Sequence, residues 1–378
     1  MDRRASFFAA ALLAATLASP SAGQTTVGLE ASFKGYSFDE GLGPDAAQLF
    51  MVPLAVRIPL SNTFQTDVFG AWARGQIERD GATYRLSGMV DTQVKMSWTA
   101  APWVVLSVGV NVPTGKASHD AEQAVVAAVL AADLLGFRES SWGTGLAVTT
   151  GLATATRMGQ WGVGLGASYR VANGFEPAAD QSLEYEPGNE VRLRLGFDRN
   201  VGEAGKLSAG VTVQNFAEDQ VDGRNLFQAG NRMMADLSYG FRLGSQTWTL
   251  YGGDLWREKG DLFLSVVDAA GKVVGDSTVT TGTQNLLSVG FAGAIPMGSI
   301  YRLRPGVDLR VQSREEQGGS SEGSGWILAA GGDFPLRLFG TYDVFPRARY
   351  TFGSIEGPDG DMHGARGGEF GLTIRFGG

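Results

Sequence analysis

Cysteine is absent from the 378 residues, and histidine occurs only at His119 and His363. That excludes a disulfide framework and thiolate metal sites, and it leaves little material for a histidine-based zinc centre or catalytic triad. Long apolar runs are missing too. Beyond the first 23 residues or so, the longest unbroken one is 124–132, far short of the 20 or so residues a membrane-crossing helix needs. Basic charge is also scarce, with 31 Lys and Arg against 39 Asp and Glu and a net charge of −8, which argues against nucleic acid as a partner. Fifty-five glycines would be odd in a helical protein, while 43% hydrophobic residues with only 19% charged argue against disorder.

What the chain has is a period of two. Tyr84, Leu86, Val90, Val94, Met96 and Trp98 share one parity, and Arg85, Ser87, Asp91, Gln93, Lys95 and Ser97 share the other. After the turn at 99–102, Val104, Leu106, Val108, Val110 and Val112 alternate with Val105, Ser107, Gly109 and Asn111. Such arms of about eleven residues suit tilted strands that cross a bilayer, with one face on lipid and the other on a polar interior. The same alternation predicts strands at 27–33, 50–58, 64–76, 84–98, 104–112, 142–155, 161–171, 191–200, 207–216, 233–241, 248–256, 286–294, 301–311, 326–333, 342–352 and 369–376. The fold class expected is therefore all-β, a transmembrane antiparallel up-and-down barrel of sixteen strands, or fourteen if a hairpin is merged. Pro53 is an awkward residue for its strand because it cannot donate to a ladder. Even-numbered connections are short and most odd ones long, the pattern of periplasmic turns and external loops.

Before the barrel, Arg3 and Arg4, the apolar run 7–18 and the small residues Ser21, Ala22 and Gly23 read as a secretory signal peptide over 1–23, leaving 24–378 as one domain. Tryptophans fall near expected strand ends: Trp98, Trp103, Trp161 and Trp248 beside short turns, Trp142, Trp256 and Trp326 beside long loops, and only Trp72 within a strand. That is the placement of aromatic belts. Together these features point to the bacterial outer membrane, with its lipid and lipopolysaccharide as surroundings.

The polar parity collects arginine. Arg192, Arg194, Arg232, Asp236, Arg242, Arg302, Arg304, Asp308, Arg310, Asp343, Arg347, Arg349 and Arg375 are all expected in the lumen. Arginines opposite acids can set a transverse field at a constriction, or they can pair into a network that fills the interior, and both meanings stay open. The longest connection carries an Ala- and Leu-rich segment, 121–136, expected to be a helix capped by Asp120. Being apolar on nearly every side, it should fold into the lumen, with Val125, Val129, Leu130 and Leu134 as gate candidates. His363 lies beside Asp359 and Asp361 in a glycine-rich loop, but solvated loop charge is the ordinary reading, and no enzymatic chemistry, metal or cofactor is expected.

The segments SGMVDTQVKMSW and VVLSVGVNVPTGK resemble paired strands of proteobacterial outer-membrane transporters of the long-chain fatty acid and aromatic hydrocarbon group, including phenol meta-pathway barrels. The matching residues are Gly88, Asp91, Pro113, Thr114 and Gly115, over about thirty residues. The resemblance implies passive uptake of small hydrophobic molecules. This chain departs from it in lacking an N-terminal hatch and in its charged lumen. The last strand also resembles the C-terminal signal read by the barrel assembly machinery, matched by Gly371, Ile374 and Phe376, although Gly377 and Gly378 follow the aromatic residue that usually ends it. Two alternatives to hydrophobic transport remain: a polar-solute porin with an arginine eyelet, and a surface barrel with no transport role.

Overall fold

The computed structural model describes residues 25–137, 139, 141–267, 273–298, 301–315, 321–338 and 342–376; the expected leader and Gly377 and Gly378 lie outside them. Its strands are β1 (Thr26–Phe38), β2 (Ala46–Pro59), β3 (Phe64–Arg79), β4 (Ala82–Met89), β5 (Thr92–Ala101), β6 (Val104–Val112), β7 (Ala147–Met158), β8 (Trp161–Ala172), β9 (Tyr185–Glu186), β10 (Glu190–Val201), β11 (Gly205–Phe216) and β12 (Glu218–Val221). They continue with β13 (Arg224–Gln228), β14 (Arg232–Leu243), β15 (Gln246–Arg257), β16 (Asp261–Val267), β17 (Val273–Thr280), β18 (Gln284–Met297), β19 (Tyr301–Arg314), β20 (Gly325–Asp333), β21 (Leu336–Leu338), β22 (Tyr342–Glu356) and β23 (Met362–Phe376). Among the described residues one helix, α1 (Ala121–Leu130), interrupts them.

Eighteen strands form one antiparallel sheet. Because β4 runs on into β5 and β20 into β21, they make sixteen staves, the number expected. The first stave closes on the last, from Val27 opposite Phe376 to Phe38 opposite Ala365, so the sheet has no free edge. A closed antiparallel barrel satisfies every ladder bond internally, which is what a spanning structure without long helices must do. The outward face is apolar: Leu193 and Leu195 face Val213 and Val211 across the β10–β11 pair, and all four are exposed. That belt, with Trp98, Trp103 and Trp161 exposed at the short-turn end and Trp326 at the other, is a lipid-facing surface, and the barrel is of the outer-membrane kind. Most staves run 12 to 16 residues, longer than a crossing requires, so their outer ends stand beyond the hydrocarbon. Pro53 is accommodated where the β1–β2 ladder skips Glu30 and Ala31.

Three local expectations are corrected. Tyr84, Leu86 and Val90 do not share the lipid face of Val94, Met96 and Trp98. Along β3, Gly75 is opposite Leu86 and Ile77 opposite Tyr84, yet Asp67 is opposite Lys95. Between these registers lies one extra residue at Val90–Asp91, a bulge, and because side chains alternate with period two it turns the earlier residues inward. Leu86 and Val90 are consequently buried in the lumen, while Arg85 bonds Gln76 on the outer face. Second, the strand expected from 142 begins at Ala147, and Trp142 is a fully buried lumen residue instead of a belt residue. Third, connections expected to be plain external loops build a second sheet, in the order β17-β16-β13-β12-β9. Its β12–β13 hairpin turns at Asp222 (φ 50°) and Gly223 (φ 74°), as the Asp80-Gly81 turn does between β3 and β4.

Candidate functional site

The interior is organised by the 113–146 connection, which folds into the barrel. Asp120 caps α1 by accepting from the Gln123 amide at 2.8 Å. Val126, Leu130 and Trp142 then bury themselves against Ala47, Leu49, Met51, Ala71, Ala73, Ile77 and Leu86 on the inner faces of β2, β3 and β4 and against Val90 at the bulge. Gly75 makes this approach possible: a Cβ there would stand 2.4 Å from the Leu130 Cδ1 atom. Beyond α1, Leu134 and Leu135 pack on Tyr36, Ile327, Ile355 and Ala365. Polar ties finish the span. Tyr36 donates to the Leu135 carbonyl at 2.9 Å, Lys34 to the Gly136 carbonyl at 2.9 Å, and Arg257 pairs with Asp133 at 2.7 Å.

Of the four gate candidates, Leu130 and Leu134 are anchors buried against the wall and Val129 is half-buried, while Val125 is exposed. Val126, Leu135 and Trp142 share the anchoring, which helical spacing alone did not single out.

The residues that carried the resemblance meet at the bulge. Asp91 is 4% exposed and accepts three bonds, from the Gly115 amide (2.9 Å), the Thr144 amide (2.7 Å) and the Asn111 side chain (2.9 Å). The Thr114 hydroxyl receives the Thr92 amide at 2.9 Å and donates to the Val90 carbonyl at 3.2 Å. A Cβ on Gly115 would stand 1.9 Å from the Trp142 carbonyl oxygen. Asp91, Thr114 and Gly115 therefore form a clasp that fixes both ends of the inward connection to the bulge.

The arginines divide between two halves of the lumen. On the half filled by the connection, Arg347 reaches Asp333 (2.9 Å), Glu369 (3.1 Å) and Glu30 (3.7 Å), all with side chains about one-fifth exposed or less. Arg349 pairs with Asp308 at 3.0 Å, and Asp308 also accepts from Tyr251. Arg310 lies under the turn at Gly136, where a Cβ would overlap its guanidinium. Arg304 and Arg375 flank the Phe345 ring at 5.7 and 4.8 Å.

On the opposite half, β7, β8, β10 and β11 turn Gly151, Ala153, Gly162, Gly164, Gly166, Gly196, Ser208 and Gly210 inward, small residues interleaved on the same face with polar ones such as Arg194, Asp198, Lys206 and Thr212. Arg194 bridges to Asp236 at 2.8 Å across Gly210, and the two side chains remain 50% and 48% exposed. Arg192 pairs with Glu190 at 2.8 Å. Arg232 lies over the Phe216 ring at 4.8 Å, lining an external vestibule of about 570 Å³. Arg242 and Arg302 line a cavity of about 320 Å³ at the short-turn end.

No family model and no curated protein matches the chain. Solved outer-membrane proteins match the chain at low identity. OccK11 of Pseudomonas aeruginosa matches with a TM-score of 0.46 at 10% identity, covering 93% of this chain and 95% of that one. The CymD monoaromatic hydrocarbon channel matches with 0.42 at 14%, covering 96% and 90%. An anion-selective porin from Comamonas acidovorans matches with 0.41 at 11%, covering 94% and 99%. These likenesses say nothing of cargo.

The external loops carry their own titrating groups. Tyr185 donates to Asp219 at 2.6 Å, and its hydroxyl pKa is raised by burial and by that carboxylate. Glu315 is held below the usual carboxylate range by the hydrogen bonds it receives from Lys259 (2.6 Å) and the Thr283 amide. His363 bonds Asp359 at 2.9 Å and lowers its pKa. Among the described residues no group of three His, Cys, Asp or Glu is arranged to hold a metal ion.

Proposed function

We propose that this chain is a passive outer-membrane channel for small polar solutes, favouring anions, and that it acts without catalysis. The observation that carries the reading is the asymmetry of the lumen. The inward connection is anchored on one half of the wall, while the other half presents small residues and a water-exposed Arg194–Asp236 pair. Small inward residues leave cross-section, and exposed guanidiniums lower the barrier for anions passing them. The resemblance to the fatty acid and aromatic hydrocarbon group would make the cargo apolar. Against that, the connection spends Val126, Leu130, Leu134 and Trp142, all 2% exposed or less, on the wall, and Val125 and Leu146 are the larger apolar side chains it leaves exposed among its described residues. Insertion through the last strand by the barrel assembly machinery, into a leaflet rich in lipopolysaccharide, belongs to the same proposal.

Planar-bilayer recording of the purified protein tests it. Steady ohmic current with a reversal potential displaced toward the anion in a salt gradient is expected. Silence together with no swelling of solute-loaded liposomes would favour a filled structural barrel and overturn the channel reading.

A further inference from the structure

The 570 Å³ vestibule lies at the external ends of β14, β15 and β18, beside the second sheet, and its size suits a small-molecule site. Its charges are not equally satisfied. Arg257 is taken by Asp133, and Arg192, one strand pair away, by Glu190. The vestibule acid Glu315 is taken by Lys259, and Glu258 receives the Asn231 amide group at 2.7 Å. Arg232 differs from these: its guanidinium carbon lies 4.8 Å from the Phe216 ring centroid, and among the described residues neither it nor Arg314, which donates to the Glu322 carbonyl at 3.4 Å, is ion-paired with a carboxylate. A guanidinium held at an aromatic face by cation–π attraction retains N–H donors of the kind that bind carboxylates in bidentate fashion. Phe227 supplies a further aromatic wall, and Thr281 and Ser321 line the same space.

We propose that this vestibule captures small organic carboxylates with a flat apolar body, the Arg232 edge holding the carboxylate and the aromatic lining holding the body. The proposal rests on the channel reading above and adds to it a solute class and an order of contacts. Asp236 lies four residues further along β14, about 13 Å deeper at the rise of a strand, and its partner Arg194 offers the next positive group. An anion released from Arg232 thus moves down a wall whose next station is already hydrated.

The test uses the full-length protein in detergent, with benzoate as the probe and benzyl alcohol as its neutral counterpart. Isothermal titration calorimetry should show saturable benzoate binding and none for benzyl alcohol. Arg232→Gln should weaken benzoate binding by about tenfold or more, and Arg232→Lys, which keeps the charge, by only a few-fold. Heat-modifiable migration on gels verifies that both variants are folded barrels. Equal benzoate affinity in wild type and Arg232→Gln, equal binding of benzyl alcohol, or no benzoate binding by the wild type would overturn the capture site. Calorimetry and conductance separate the two claims: benzoate binding that depends on Arg232 in a protein that passes no current sustains the site and sinks the channel, and current without such binding does the reverse.

Discussion

Asp91 is a single buried carboxylate with three donors aimed at it, two of them backbone amides of the connection it restrains. Removing a charged acceptor leaves those donors without a partner, at about 1–3 kcal/mol each where they stay dry. Asp91→Ala should therefore release the inward connection without opening the barrel. The expected readings are noisier current, larger mean conductance and faster proteolysis within 113–146, and a variant with wild-type noise and protease resistance would show that the clasp bears no load. Gly115→Ala should act in the same direction, because its Cβ has no room beside the Trp142 carbonyl. Replacing Gly75 by Val would drive side-chain atoms into Leu130 and Val126, an overpacking change of about 1–3 kcal/mol that lifts α1 from the wall. Of this clasp, residue types were legible in the sequence and partners were not. Asp91, Thr114 and Gly115 stood out as a short motif, but Thr144 and Asn111 join them only through folding across 20 to 53 positions.

At the scale of elements, periodicity located the strands well and located a face poorly wherever a register slipped. Leu86 and Met96 have the same parity and lie on opposite faces because one residue is inserted between them, and nothing in the local pattern marks that insertion. The helix at 121–130 was readable from its composition and cap, and its inward course from its lack of a polar face. Which side would touch the wall depended on Gly75, Ala71 and Ala73, small residues on a different element. The second sheet went unread because its strands are short, although the Asp222-Gly223 pair at one of its turns is a recognisable hairpin signal. Trimming both wall contacts of α1, Val126→Ala with Leu130→Ala, should loosen its docking by about 3–5 kcal/mol, seen as faster hydrogen exchange across 121–130 with unchanged exchange in β10 and β11. Acid should act elsewhere. The Glu315 carboxylate is stabilised by Lys259 and Thr283, so its tie to the vestibule rim holds above the ordinary glutamate range of about 4.3 and lets go only as the pH falls below it. Current noise that rises below that range in wild type and is already high at neutral pH in Glu315→Gln would confirm the tie, whereas a rise centred near pH 6 would assign it to another group.

For the molecule as a whole, alternation and short turns at one end already pointed to an outer-membrane barrel of sixteen staves, or fourteen, and the structure closes it at sixteen. The division of its lumen into a packed half and an open half was beyond the sequence, since inward arginines read alike whether they are walled in, as Arg347 is, or bathed in water, as Arg194 is. The absence of native cysteine makes that division directly measurable. In liposomes, Ser208→Cys, on the open wall, should react within seconds to minutes with a charged, membrane-impermeant thiol reagent and lose conductance once modified, while Leu193→Cys, on the lipid face, should stay unreactive. A Ser208→Cys barrel that resists the reagent, or that reacts with no change in current, would contradict an aqueous passage along this wall.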